Sequence, residues 1–224
     1  MVFNDLELIA IHIQKTAGMS FKKILKREYK RKYYRLNIGA EVKDRQAAFQ
    51  QHLPRIPGDT RVIHGHYYYQ DIIEIVNSYP DVPVVTWLRA PVQRVISSYY
   101  FFKRKFDEGF RENLTLLGEF SLLEFAAHQV SRNVMSRVLQ GVDLSDLAFV
   151  GFLEYLEEDV IYLSKLLGWR SRSLPERNIN YEFKSQFPSP TMEELEEIRR
   201  LNQADLELYN YALEIRERRV LQDS

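Results

Sequence analysis

Leu6-Glu7-Leu8-Ile9-Ala10-Ile11-His12-Ile13 runs directly into Gln14-Lys15-Thr16-Ala17-Gly18-Met19-Ser20-Phe21, and this junction decides the fold. The first half is a short apolar, β-branched run of the kind buried in a parallel sheet. Small residues from Thr16 to Gly18 end it. From Ser20 the apolar positions become Phe21, Ile24 and Leu25, with Lys22, Lys23, Lys26 and Arg27 between them. That spacing is an amphipathic helix with a solvated basic face.

The same alternation recurs. Arg61 to His64 reads as a strand before a helix near Gln70 to Ser78, and Val82 to Leu88 as a strand before a helix from Pro91 to Lys105. Pro91 suits the first turn of its helix, where a missing N–H costs nothing. Arg89 therefore stands at a strand end and Ser97 inside the helix that follows. Beyond Gly109 the chain reads mostly as helices: Leu122 to Gln129, Arg132 to Leu139, Leu153 to Leu167, and one from Met192 to Arg219 that opens on a capping box at Thr191 and Glu194. Arg216, Arg218 and Arg219 near its end match the helix dipole and read as structural. The pattern is α/β, with a central parallel sheet chiefly in the first half and a helical C-terminal half. No linker divides it, so residues 1–224 read as one domain.

Three places carry chemistry. Lys15-Thr16-Ala17-Gly18-Met19-Ser20-Phe21 lies between strand and helix, where free backbone N–H groups and the positive end of the helix dipole receive an anionic oxygen. Lys15 adds a charge, and Thr16 and Ser20 add hydroxyls. Taken alone, such a loop serves equally as a plain turn with Lys15 in water. The usual nucleoside triphosphate loop places its lysine after a glycine; here lysine comes first and no earlier glycine is present. A P-loop phosphotransferase is thereby disfavoured. The second place is Arg89-Ala90-Pro91-Val92-Gln93-Arg94-Val95-Ile96-Ser97, whose strand-end arginine and helix serine can converge on one phosphate. Arg94 either joins that site or pairs with a carboxylate. The third is His64-Gly65-His66: a neutral imidazole there can take a hydroxyl proton, while a hydrogen-bonded core histidine is the plainer reading of either residue. A metal site is not expected, because two histidines two residues apart lack other ligands. His12, His52 and His128 read as structural.

His12 to Phe21 resembles the opening of the heparan sulfate 2-O- and 6-O-sulfotransferases, where lysine-first order is found and the loop holds the 5'-phosphosulfate of 3'-phosphoadenosine 5'-phosphosulfate (PAPS). Leu88 to Tyr100 is similar to the 3'-phosphate segment of the same superfamily, with arginine and serine eight residues apart as Arg89 and Ser97 are. His64-Gly65-His66 looks like the segment whose histidines are implicated in acid/base work. The resemblance implies a P-loop-like three-layer fold, PAPS as co-substrate with adenosine 3',5'-bisphosphate (PAP) as product, no metal, and a hydroxyl acceptor, a glycan or other glycoconjugate. It implies Lys15, Thr16, Ala17, Gly18, Met19, Ser20, Phe21, Arg89 and Ser97 as nucleotide contacts and His66 as base, with Lys15 and His64 in support; the alternative exchanges the roles of the two histidines. Asn133 and Arg137, and the run Pro175-Glu176-Arg177-Asn178, resemble segments that border the nucleotide. Gly18 and Met19 stand where the family often has Ser or Thr, which removes a hydroxyl contact.

Composition bounds the rest. Lys plus Arg is 31 and Asp plus Glu is 31, so no long-range field draws the molecule to nucleic acid or an anionic membrane. Cysteine is absent, which removes disulfides and thiolate chemistry and suits a reducing, cytoplasmic setting. No apolar run has the length of a membrane span. The chain thus departs from the vertebrate enzymes, so a Golgi location and a heparan acceptor are not carried over. A binding module that keeps the nucleotide site without transfer remains the rival of another class, and oligomeric state leaves no mark.

Overall fold

The computed structural model describes residues 3–39, 41–110, 113–170 and 189–222. Five parallel strands are found among them: β1 (Leu8–Ile11), β2 (Tyr33–Arg35), β3 (Val62–Gly65), β4 (Val84–Leu88) and β5 (Phe149–Phe152), side by side in the order β2-β3-β1-β4-β5. The helices are α1 (Gly18–Tyr29), α2 (Arg45–His52), α3 (Ile73–Ser78), α4 (Pro91–Asp107), α5 (Leu122–Ala127), α6 (Val134–Val138), α7 (Leu156–Leu166), α8 (Met192–Leu201) and α9 (Gln203–Gln222).

Strand side chains alternate between the two faces, and each face is covered. Leu8 and Ala10 of β1, Val85 and Trp87 of β4 and Phe149 of β5 pack with Phe21, Ile24 and Leu25 of α1 and Val160 and Leu163 of α7. Ile9 and Ile11 of β1, Ile63 of β3 and Phe152 of β5 pack with Phe49 of α2, Ile75 of α3, Met135 of α6 and Tyr209 of α9. This is the expected three-layer α/β arrangement. A further cluster joins α4, α5 and α8 through Val95, Phe125 and Ile198. No helix among the described residues is long and apolar enough to cross a membrane.

Two strands were not expected. β5 is only four residues, Phe-Val-Gly-Phe, and a short apolar run is not told from a buried helix segment by periodicity. Gly151 is what lets it lie against β4: a Cβ there would come within 2.6 Å of the Trp87 ring. β2, three residues long, pairs with β3 at the sheet edge. The expected last helix is in fact two. Asn202, fully buried between α8 and α9, turns its side-chain amide back onto the Ile198 carbonyl (2.9 Å) and receives the Asn133 N–H (2.9 Å). A side chain that competes for backbone partners in this way interrupts a helix.

Candidate active site

β1 and β4 are neighbours, so the segments that follow them emerge together at the carboxyl end of the sheet, where ligands of open α/β sheets bind. After β1 the chain makes a strained turn, with Lys15 at φ 69° and Ala17 at φ 91°. Left-handed backbone in non-glycine residues costs about 1–3 kcal/mol each. Two contacts hold it: the Thr16 hydroxyl donates to the Ile13 carbonyl (2.9 Å), and Nη1 of Arg89 donates to the Lys15 carbonyl (3.3 Å).

α1 starts without a side-chain cap. The Ala17 carbonyl takes the N–H groups of Ser20 and Phe21, leaving those of Gly18 and Met19 ahead of the first intrahelical bond. Backbone of this kind makes an anion-binding concavity. Two of the expected contact residues have their side chains engaged elsewhere. Thr16 is fully buried and its single hydroxyl proton is engaged by Ile13, so it braces the loop. Phe21 offers no donor, since its N–H is bonded and its ring is buried 5.3 Å from that of Trp87. Met19 turns its side chain outward at 60% exposure.

On α4, Ser97 and Phe101 are one turn apart and share a stripe. The Lys15 ammonium lies 4.7 Å above the Phe101 ring. Lys15 thus meets Arg89 through its carbonyl and Phe101 through its ammonium, and Ser97 stands one turn before Phe101 on the same helix. The next stripe, Arg94, Ser98 and Phe102, faces a cavity of about 220 Å³.

That cavity is walled by Ile38, Tyr68, Phe102 and Val134, with His66 and Arg137 as polar members. His66 follows β3, and its Nδ1 is 2.8 Å from the His12 carbonyl oxygen. A carbonyl only accepts, so Nδ1 carries the proton and Nε2 keeps its lone pair. The His12 ring stacks on His66 (centroids 4.1 Å) and on His64 (5.0 Å). His64 is 1% exposed; its Nδ1 pairs with the Tyr33 hydroxyl (2.8 Å), and its Nε2 has no partner among the described residues. Burial is the chief cause that lowers all three imidazoles, His12 to about 2, His64 to about 3, and His66 below the ordinary histidine value. Arg35 and Lys22 push the same way, and the bond to His12 opposes them at His66.

The model of the sulfotransferase family matches residues 1–212. The chain belongs to the sulfotransferase family. Among solved structures it is similar to mouse sulfotransferase SULT7A1 complexed with PAP (14% identity, TM-score 0.42, 89% of this chain) and to a sulfotransferase from Alicyclobacillus acidocaldarius (14%, TM-score 0.40, 90% of this chain and 98% of that one). It spans 64% of the mouse protein's length. Comparison with curated proteins finds no match.

Within this sulfotransferase-family site, Arg94 pairs with a carboxylate: its Nε is 3.8 Å from Asp205, its Nη2 donates to the Ser131 carbonyl, and the two side chains are 1% and 0% exposed. Asn133 is also structural in its contacts, its side-chain oxygen accepting the Asp205 N–H. Arg137 reaches the cavity wall. Pro175 to Asn178, including Arg177, lies outside the described residues. His12, read as structural, stacks its ring on His66; its place one residue beyond a buried strand gave no sign of that contact. A second feature also went unread. Lys22 and Lys26 of α1, with Lys30, Arg31, Tyr33 and Arg35 just beyond it, line an open groove of about 470 Å³, and none of its five cations pairs with a carboxylate among the described residues. Arg35 is opposite His64 in the β2–β3 register.

Proposed function

We propose that the chain transfers the sulfuryl group of PAPS to a hydroxyl of a carbohydrate or glycoconjugate acceptor. The observation that carries this reading is the contact of Arg89 with the Lys15 carbonyl, which joins a 5'-side anion loop to a 3'-phosphate segment. One phosphate loop fits any nucleotide; two joined loops fit a nucleotide phosphorylated at both ends. The uncapped N–H groups of Gly18 and Met19 and the Lys15 ammonium suit the 5' side, and the guanidinium of Arg89 with the Ser97 hydroxyl suits the 3' side.

In the proposed transfer, the acceptor oxygen forms its bond to sulfur as the bond from sulfur to the 5'-phosphate oxygen breaks. The acceptor's proton passes to Nε2 of His66, the ring nitrogen that the His12 carbonyl leaves unprotonated. Lys15 and the loop amides hold the charge left on the phosphate, a preorganised electrostatic contribution. His64 and Tyr33 stand behind as support.

Calorimetry with PAP, AMP and ATP tests the donor. PAP is expected to bind well above AMP, and Arg89→Ala to lose about 10- to 100-fold for PAP, the worth of a charged hydrogen-bonded contact of about 1.5–3 kcal/mol, and less for AMP, which feels the change only through the Lys15 loop. Equal affinity for AMP and PAP removes the reading; a preference for ATP turns it toward phosphotransfer.

The basic groove beside His64 favours an acidic acceptor over a small neutral alcohol. Reversing two of its cations, Lys26→Glu with Lys30→Glu, is expected to raise acceptor KM about tenfold at low salt, less as salt screens the charges, with PAP affinity unchanged. An unmoved KM takes the groove off the acceptor's path.

A further inference from the structure

We propose that His12 is a positioning residue for transfer: its imidazole, wedged between Gly18 of the phosphate-binding loop and the ring of His66, sets where the base stands relative to the loop. This rests on the reading of His66 as base.

The imidazole is met on its edge by Gly18 and on its face by His66. Gly18 is not in a left-handed conformation, so its lack of a side chain answers to space. A Cβ on Gly18 would fall 1.6 Å from Nε2 of His12, so the first residue of α1 already touches the imidazole edge. The face of the same ring stacks on His66 at 4.1 Å and 29°, and the ring also stacks on His64 at 5.0 Å and 15°. The main chain of His12 is fixed as well: its N–H bonds the Gly65 carbonyl (2.8 Å) and its own carbonyl takes Nδ1 of His66. A close-packed interior transmits displacement rather than absorbing it. A shift of the loop at Gly18 therefore reaches His66 through one flat ring, and the same ring keeps water off the base.

The sequence motif supports this role. His12 stands three residues before Lys15 and Gly18 three after it, so one short segment supplies both the anion loop and the spacer that meets the base. His12 itself has no part in proton transfer here; burial keeps it neutral. The groups facing His66 that bear on its titration are His64, Lys22 of α1 and Arg35 of β2, with Glu41, Arg94 of α4 and Arg137 of α6 around the cavity.

The test compares His12→Ala with His12→Phe, which keeps a flat ring. Imidazole nitrogen shifts of His66, followed by NMR against pH without donor or acceptor, read the base directly. In His12→Ala the His66 pKa is expected to rise toward about 6.5 as water replaces the ring, and kcat to fall about 10- to 100-fold, the cost of a misplaced catalytic group, with PAP affinity within about threefold. His12→Phe is expected to keep the low titration and to recover kcat to within about threefold of the parent. Should His12→Ala not fold, His12→Asn, polar but without the ring, is expected to take its place with the same losses. An unchanged His66 titration in the ring-less variant, or a Phe variant as impaired as it, overturns the proposal. The NMR arm does not use nucleotide, so a protein that fails the PAP calorimetry yet shows the His66 shift loses the sulfuryl-transfer reading and keeps the coupling.

Discussion

Replacing His66 with alanine is expected to lower turnover about 10²- to 10⁴-fold, the usual worth of a general base, while leaving PAP affinity unchanged. The split follows from position. His66 follows β3 and lines the cavity, whereas the two segments proposed to hold the nucleotide follow β1 and β4. The pH profile gives a second readout. Burial, followed by Arg35 and Lys22, lowers the His66 pKa below its ordinary value, against the bond to His12. The base acts when neutral, so kcat/KM should hold as pH falls through 6.5 and decline only on passing the lowered pKa, and this acid limb should vanish in His66→Ala. Turnover that survives His66→Ala and is lost in His64→Ala would hand the role to His64. The geometry is against that: His64 is 1% exposed and committed to Tyr33, which burial itself pushes up to about 12 and so keeps protonated.

The largest expected effect on stability is at Asp205. Asp205→Ala should cost about 3–5 kcal/mol in denaturant unfolding, the range for a buried pair that loses one partner. Arg94 is already held down to about 10, chiefly by burial, with Asp205 the opposing influence. Without the carboxylate, that guanidinium keeps only the Ser131 carbonyl among the described residues. The N–H groups of Met135 and Ser136 at the start of α6, at 3.2 and 2.8 Å from Asp205, lose their acceptor too. Asp205→Asn should cost less, because an amide oxygen can still receive those N–H groups. A loss below about 1 kcal/mol in Asp205→Ala would show that neither the ion pair nor the amides depend on it.

What the sequence made legible was local. A strand, a lysine-first loop and a helix follow one another within residues 6–29, and Arg89 and Ser97 are set by a strand end and a proline-started helix. Such features are written in adjacent residues, and the structure has them where the spacing puts them. What stayed hidden depends on partners far along the chain. Arg94 had two readings until Asp205 was found beside it; His12 looked like one more strand residue until the chain returned with Gly65 and His66. Asn202 carries no mark of a helix break except through Asn133. β5 was lost for another reason: four apolar residues have no period to read. The hydroxyl of Thr16 and the ring of Phe21 show the converse limit, since a motif names a position without saying which of its atoms face the ligand.

The left-handed backbone at Lys15 and Ala17 has a kinetic consequence. A loop already bent into its anion-receiving shape, and held there by Thr16 and Arg89, meets its ordering cost during folding rather than at each encounter. Donor capture should then be limited by diffusion and charge, and the slow events of a catalytic cycle should lie in the steps that follow it.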